Sequence, residues 1–248
     1  MIDSKLIGPR IACEGVYKGH LQGVATNGSY AIFWSWSDAI VKTGLDGKII
    51  QKVSAPYHQG DLCFYDGKVY VAVNLGKFNE EEGQADSWIF VYDDNSLKEV
   101  ARHKVKELVH GAGGIAFYNN KFIVVGGLPA GHERNYLYEY DINFNFKKRH
   151  LVQSGYTYKG IQTAAFINGD LWFGCYGKPH IVIRTDKQFK NIRQYEFDAS
   201  LGFIGLTDGN FLVGQNEFTE GEGYRGSLVM VEYGKEGSFK VVDGLKKQ

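Results

Sequence analysis

The chain has few cysteines, few prolines and no long apolar run. Its 248 residues include only 3 Cys, 4 Pro and 2 Met. Cys13, Cys63 and Cys175 are odd in number and far apart, which argues against a disulfide framework and lacks the paired spacing of a zinc knuckle. We therefore interpret all three as small core residues.

No apolar stretch approaches the roughly 18 residues that a membrane helix needs. The first ten residues, MIDSKLIGPR, also lack the apolar region of a signal peptide. The sequence therefore predicts a cytoplasmic protein without a membrane partner. A precursor whose signal peptide has been removed is the alternative that this pattern leaves open.

Charge of one sign does not dominate any part of the chain, because 28 basic residues balance 28 acidic residues without an extended run of either. Long-range attraction to nucleic acid requires a basic excess. We therefore expect no nucleic-acid partner and predict that the ligand is a small polar molecule or a glycan.

Aromatic residues are plentiful, and with them come five copies of one pattern. Two short apolar runs flank a tight polar turn in GVATNGSYAIFW, LCFYDGKVYVAV, IAFYNNKFIVVG, AAFINGDLWFGC and GLTDGNFLVGQ. Asn-Gly and Asp-Gly between β-rich runs indicate type I′ hairpins, which need positive φ at both central residues. The central pairs are Asn27-Gly28, Asp66-Gly67, Asn119-Asn120, Asn168-Gly169 and Asp208-Gly209.

A second strand pair follows each hairpin, so each repeat contains four strands, which we name A to D. Repeats of four short strands separated by polar turns are typical of propeller blades. The sequence thus predicts an all-β, five-bladed β-propeller of four-stranded antiparallel blades that occupies residues 1–248 as one domain. The expected blades span 20–55, 58–107, 110–153, 159–198 and 200–245, with a ring-closing strand within 10–17.

The turn pattern and the C/D pairs Tyr92-Asp93, Tyr140-Asp141 and Thr185-Asp186 resemble the broad propeller superfamily of NHL, SMP-30-like and quinoprotein-type repeats. This resemblance implies the architecture over nearly the whole chain. It implies no particular activity, because propellers carry many unrelated functions.

Four basic side chains mark the predicted mouth of the central channel. Strand A is innermost, and its start reads GHLQG, YHQGD, VHGAGG and YKGIQT in blades one to four. Because equivalent points of different blades converge at the axis, we predict a site with His20, His58, His110 and Lys159 as catalytic candidates.

Three imidazoles at one point would suit a divalent metal ion with open coordination positions. His20, His58 and His110 are the predicted ligands, with Gln22, Asp61 and Gln162 as neighbours. The three histidines stand eight, nine and ten residues before their turns. Because side chains point to alternate faces of a strand, regular strands would not point all three rings in the same direction. A metal-free polar site and purely structural histidines therefore stay open.

The expected substrate contacts lie around this point, at strand ends and in the long B–C connections. An aromatic ring beside amides and carboxylates is typical of carbohydrate sites. The predicted substrate-binding residues are Gln22, Trp36, Asp61, Asn74, Gln162, Tyr176, Asn216, Glu217 and Arg225.

Two classes of function follow from this site. The first is a small-molecule site for a sugar or sugar acid, with a metal-dependent lyase or a hydrolase as its catalytic forms. A hydrolase would pair Glu217 with Glu14 or Asp61. The second is a non-catalytic propeller that holds a glycan or a peptide. A closed ring exposes no strand edge, which predicts a monomer.

Overall fold

The computed structural model describes residues 1–56, 58–234 and 237–242, which form five antiparallel sheets in a propeller arrangement. The predicted all-β, five-bladed fold class is confirmed. A single 3-10 turn, Ser4–Leu6, precedes the sheets. In the part of the chain that the structure describes, no helix has the length and hydrophobicity needed to cross a bilayer.

The first four blades are up-and-down sheets whose strands follow chain order. Their innermost strands contact one another around the axis. Blade one contains β2 (Leu21–Thr26), β3 (Ala31–Trp36), β4 (Ala39–Gly44) and β5 (Ile49–Ser54). Blade two contains β6 (Gln59–Tyr65), β7 (Lys68–Asn74), β8 (Ser87–Asp93) and β9 (Glu99–Lys104). Blade three contains β10 (Ala112–Tyr118), β11 (Lys121–Gly126), β12 (Asn135–Asp141) and β13 (Phe146–Val152). Blade four contains β14 (Tyr158–Ile167), β15 (Asp170–Tyr176), β16 (Ile181–Thr185) and β17 (Arg193–Glu196).

The fifth blade is assembled from both ends of the chain. It contains β18 (Phe203–Gly205), β19 (Phe211–Thr219), β20 (Gly223–Tyr233), β21 (Phe239–Val241) and the N-terminal strand β1 (Arg10–Ala12). Both β1 and β21 pair with β20, at different points along its length: Arg10 lies opposite Val229, and Val241 lies opposite Val231. The N-terminal segment thereby joins the last blade and closes the ring.

Three of the five A–B turns have the predicted backbone shape. Both central residues have positive φ at Asp66-Gly67, Asn119-Asn120 and Asn168-Gly169. In the other two turns only Gly28 and Gly209 have positive φ, because these loops are longer than two residues. The type I′ prediction is therefore wrong for blades one and five, although a hairpin forms in each.

Five hydrophobic clusters hold the blades together, and each lies mainly between two adjacent blades. The second strand of each of the first four blades is almost wholly buried, because neighbouring blades cover both of its faces. In the outermost strands, exposed and partly buried residues alternate or most residues are exposed. Cys13, Cys63 and Cys175 are free and buried, as predicted.

The inner strands approach closely at the axis, where Asp61 links three blades. The side chain of Asp61 is 2% exposed, and one carboxylate oxygen accepts the N–H of Ala164 in blade four at 2.8 Å. The N–H groups of Leu62 and Val24 also face the carboxylate. A Cβ at Gly23 would overlap the Asp61 carboxylate, so only glycine fits there. Burial outweighs the N–H groups and raises the pKa of Asp61 well above its usual value.

We predict that Asp61→Asn weakens the pH dependence of stability. Because burial raises the folded-state pKa of Asp61, the folded protein retains a proton that the unfolded chain releases above about pH 4. Asp61 should therefore lower the free energy of unfolding as pH rises above about 4. Asparagine has no such proton, yet its side-chain oxygen can still accept the Ala164 N–H.

Urea unfolding of the wild type, Asp61→Asn and Asp66→Asn over this pH range measures the effect. Asp66 lies in the exposed A–B turn of the same blade and serves as the matched control. Equal pH slopes for Asp61→Asn and the wild type would show that Asp61 does not contribute to this dependence.

Candidate functional site

A polar cavity opens where the axis reaches the face that carries the B–C and D–A connections. We call it the mouth cavity; its volume is about 480 Å³. Its walls come from the inner-strand starts of blades one to four and from the B–C connection of blade two at 76–80. The predicted residues that line it are His20, Gln22, His58, Asn74, Lys159, Gln162 and Tyr176.

The mouth cavity is built by β-bulges. In each of the first four blades the pairing register of the inner strand shifts close to its start. A bulge leaves a residue out of the ladder and redirects its side chain. The residues skipped by these shifts that line the cavity are Gln22, Gly60, Gly113, Lys159 and Gln162. The bulges also explain why counting alternate residues back from the turns misjudges where side chains point.

His58 and Lys159 enter the mouth cavity from left-handed backbone. Their φ angles are 70° and 61°. Non-glycine residues adopt this region infrequently, and such conformations concentrate at functional sites. In blade three the D–A connection places a glycine, Gly111, in the same region with φ of 98°. Two of the four predicted catalytic residues thus occupy positions where glycine would adopt the backbone conformation with less strain.

His20 is fixed by a short hydrogen-bond network in blade one. Its Nδ1 donates to the Leu21 carbonyl at 2.9 Å, so its Nε2 accepts from the Gln22 amide at 3.1 Å. The same amide nitrogen donates to the Ser37 hydroxyl at 3.1 Å. Both N–H bonds of the Gln22 amide are then used inside the protein, which leaves its carbonyl oxygen as the remaining acceptor of the side chain.

His110 does not line the mouth cavity. It is buried, and its Nδ1 donates to the Glu80 carbonyl at 2.9 Å, while its own carbonyl accepts the N–H of Asn79 at 3.0 Å. Its ring packs edge-on against His132 at 5.4 Å between centroids. His110 therefore anchors the B–C connection of blade two, and its predicted catalytic and metal-binding placement is corrected.

The predicted three-histidine centre is not assembled. His20 and His58 line the mouth cavity, whereas the His110 ring donates a hydrogen bond to Glu80 in the B–C connection of blade two. Across residues 1–56, 58–234 and 237–242, no three His, Cys, Asp or Glu side chains are grouped so that they could hold a metal ion.

Two predicted substrate contacts are buried instead. Trp36 is fully buried between blades one and five, with its ring stacked on Tyr17 at 3.8 Å. The Trp36 ring thus packs inside the protein and offers no face to a sugar. Asp61 lies on the axis and is absent from the cavity wall, since its carboxylate faces backbone N–H groups. Both predictions of substrate contact are corrected.

Three other predicted contacts do line the mouth cavity. Asn74 accepts the N–H of Asp86 at 2.9 Å and donates to the Gly76 carbonyl at 3.0 Å, so it shapes the B–C connection. Gln162 donates to the Lys159 carbonyl at 2.6 Å. Burial, and secondarily the charge of Asp198, raises the pKa of Tyr176 to about 12, so its hydroxyl remains a hydrogen-bond donor at neutral pH.

The predicted contacts from blade five line a different cavity. Asn216, Glu217 and Arg225 line a space of about 510 Å³ between the N-terminal segment and blade five, together with Glu14. Asn216 accepts the N–H of Leu21 at 3.1 Å and so ties blade five to blade one. Arg225 forms an exposed ion pair with Glu222 at 3.0 Å. The nine predicted substrate contacts are thus divided between two cavities and the core.

Sequence reasoning missed several lining residues of the mouth cavity. Ser37 and Gln59 are buried at its wall, and the side-chain oxygen of Gln59 has no hydrogen-bond partner among the described residues. Phe78, Asn79 and Glu80 come from the long B–C connection of blade two. The adjacency of Gln59 to His58 was a usable signal, whereas the irregular connection offered no pattern.

Comparisons with known proteins identify the architecture. No protein-family model and no curated protein sequence match this chain. One similar solved structure is a protein of unknown function from Bacteroides caccae, with 15% identity, coverage of 83% of this chain and 82% of that chain, and a TM-score of 0.53. Another is a xylan β-1,4-xylosidase from Bacillus halodurans C-125, with 12% identity, coverage of 95% and 57%, and a TM-score of 0.66.

These likenesses show the fold. The chain spans just over half the length of the xylosidase, and at 12% identity the two share only the arrangement of blades. The resemblance to the broad propeller superfamily is confirmed at the level of architecture, and the comparisons show no specific family.

We predict that His110→Ala loosens the B–C connection of blade two. The variant loses the hydrogen bond to the Glu80 carbonyl, and losing about 1 kcal/mol of local stability corresponds to about fivefold faster amide exchange. Hydrogen–deuterium exchange of 76–82 measures this change. His103→Ala, on an outer strand, is the control, and unchanged exchange in His110→Ala would contradict the anchoring role.

Proposed function

We propose that the mouth cavity is a binding site for a sugar or sugar acid. The observation that carries this proposal is the convergence of side chains from three different blades, Gln22, His58 and Gln162, on one cavity. Such a set of fixed donors and acceptors in a concave site is typical of small-molecule recognition.

The chemistry of the wall fits a ligand rich in hydroxyl groups. Gln22, Gln59, Asn74 and Gln162 bring four amide groups to the wall. The internal hydrogen bonds of Gln22 leave its carbonyl oxygen as an acceptor, and the Gln59 side-chain oxygen has no partner among the described residues, so both can accept from a sugar hydroxyl. The rings of Phe78 and Tyr176 add apolar surface beside these amides. A propeller xylosidase of the same architecture acts on a carbohydrate, which supports sugars as the first ligands to test.

A two-carboxylate hydrolase is not the form that this wall supports. That chemistry needs a pair of acids across the substrate. Among the described lining residues Glu80 is the single acid, and the pair of Glu14 and Glu217 belongs to the other cavity. We therefore propose binding as the function, without a hydrolytic step.

The proposal predicts millimolar affinity for a monosaccharide that depends on the bulged glutamines. We expect one or more of D-xylose, D-glucose, D-galactose and D-galacturonate to bind with Kd of about 1 mM. Gln22→Ala and Gln162→Ala should each weaken that binding by about tenfold, because each removes hydrogen bonds to the ligand. Saturation-transfer NMR and calorimetry measure the affinities.

Gln188→Ala is the matched control, since Gln188 is exposed in a C–D turn on the opposite face. It should bind the sugar as the wild type does. Absence of binding to all four sugars at about 10 mM, or wild-type affinity in both glutamine variants, would overturn the proposal.

A further inference from the structure

An aromatic and basic groove continues from the mouth cavity along blade four. It has a volume of about 740 Å³, and its walls are Tyr156, Tyr158, Lys159, Tyr176, Lys178 and His180. We call it the tyrosine groove. Three residues, His20, Lys159 and Tyr176, line both the groove and the mouth cavity. A ligand that begins in the cavity can therefore extend into the groove without leaving the protein surface.

We propose that the tyrosine groove binds the next units of an acidic oligosaccharide whose terminal unit occupies the mouth cavity. The inference deepens the proposed function and rests on it. It commits the ligand to a uronate-containing glycan, in which each sugar ring carries a carboxylate.

The exposed rings of the groove are the first support. Tyr156 and Tyr158 are 49% and 51% exposed, which is unusual for two large aromatic side chains on one wall. Their hydroxyl groups can bond to sugar hydroxyls while the ring faces pack on C–H groups. Tyr156 lies in the connection before β14 and Tyr158 begins that strand, and both line the groove.

The charge of the groove is the second support, and it selects an acidic ligand. Lys159, Lys178 and His180 line it, and no Asp or Glu does so among the described residues. Asp198 stands beside the groove, where its carboxylate lies 3.4 Å from His180. One oxygen of that carboxylate accepts hydrogen bonds from Ser200, and its charge also acts on Tyr176, but the two lysines outnumber this single acid and keep the groove positive.

Single-stranded nucleic acid also binds aromatic rings flanked by basic groups. The balanced charge of the chain, 28 basic and 28 acidic residues, does not provide the extended basic track that a polyanion of this kind follows. Uronates carry one charge per ring and match a short groove with two lysines. The experiment nevertheless includes an oligonucleotide, because its binding would reassign the groove.

The test compares ligand length and charge in calorimetric titrations of the intact chain. The probes are D-galacturonate, trigalacturonate, xylotriose and a short oligothymidylate. We expect trigalacturonate to bind about tenfold more tightly than galacturonate and more tightly than neutral xylotriose, with an affinity that falls as salt is added.

Two groove variants separate this inference from the proposed function. Tyr158→Ala and Lys178→Gln should each reduce the gain from monomer to trimer to about twofold or less, while galacturonate itself binds as it does to the wild type. Tyr30→Ala and Lys48→Gln, at exposed turns on the opposite face, are the matched controls and should retain the full gain. Lys178→Gln keeps the test decisive if Tyr158→Ala fails to fold.

Each remaining outcome contradicts a defined part of the inference. Equal affinities for galacturonate and trigalacturonate would show that the tyrosine groove does not bind the glycan, while the mouth cavity would stand as a sugar site. Equal binding of xylotriose and trigalacturonate would remove the requirement for an acidic ligand. Tighter binding of the oligothymidylate than of trigalacturonate would reassign the groove to nucleic acid.

Discussion

The architecture depends on how closely the inner strands approach at the axis. Gly23 leaves space for the Asp61 carboxylate, and that carboxylate accepts an N–H from Ala164 two blades away. The approach is possible only without a Cβ at such points. Close to their starts the first four inner strands shift register, and residues at these bulges line the mouth cavity.

The fold was readable from the sequence because its local signals agree. Asp66-Gly67 and Asn168-Gly169 fix hairpins, and the short, nearly continuous apolar runs of the second strands reflect blades that cover both faces. The site was readable only in part. His20, His58 and Lys159 were placed at this cavity because they lie near the starts of inner strands, whereas the bulges hid the direction of their neighbours. Trp36 fitted packing between blades as well as a ligand contact, and it packs on Tyr17.

Phe78 and Tyr156 were missed for the same physical reason. Phe78 belongs to an irregular connection and Tyr156 precedes the start of an inner strand, so neither has a periodic pattern to mark which way it points. The connection that carries Phe78 is anchored by tertiary contacts such as the hydrogen bond from His110 to the Glu80 carbonyl. His110 thus supports the cavity wall from behind, a role that its residue type alone does not distinguish from that of a ligand.

Ring closure by β1 has a consequence for the order of folding. The pairing of Arg10 with Val229 encloses nearly the whole chain in one loop. The entropy lost on closing a loop rises with its length, and contacts between distant residues form slowly. We therefore expect the local hairpins of blades one to four to form before closure, and blade five, which needs both ends of the chain, to be completed last.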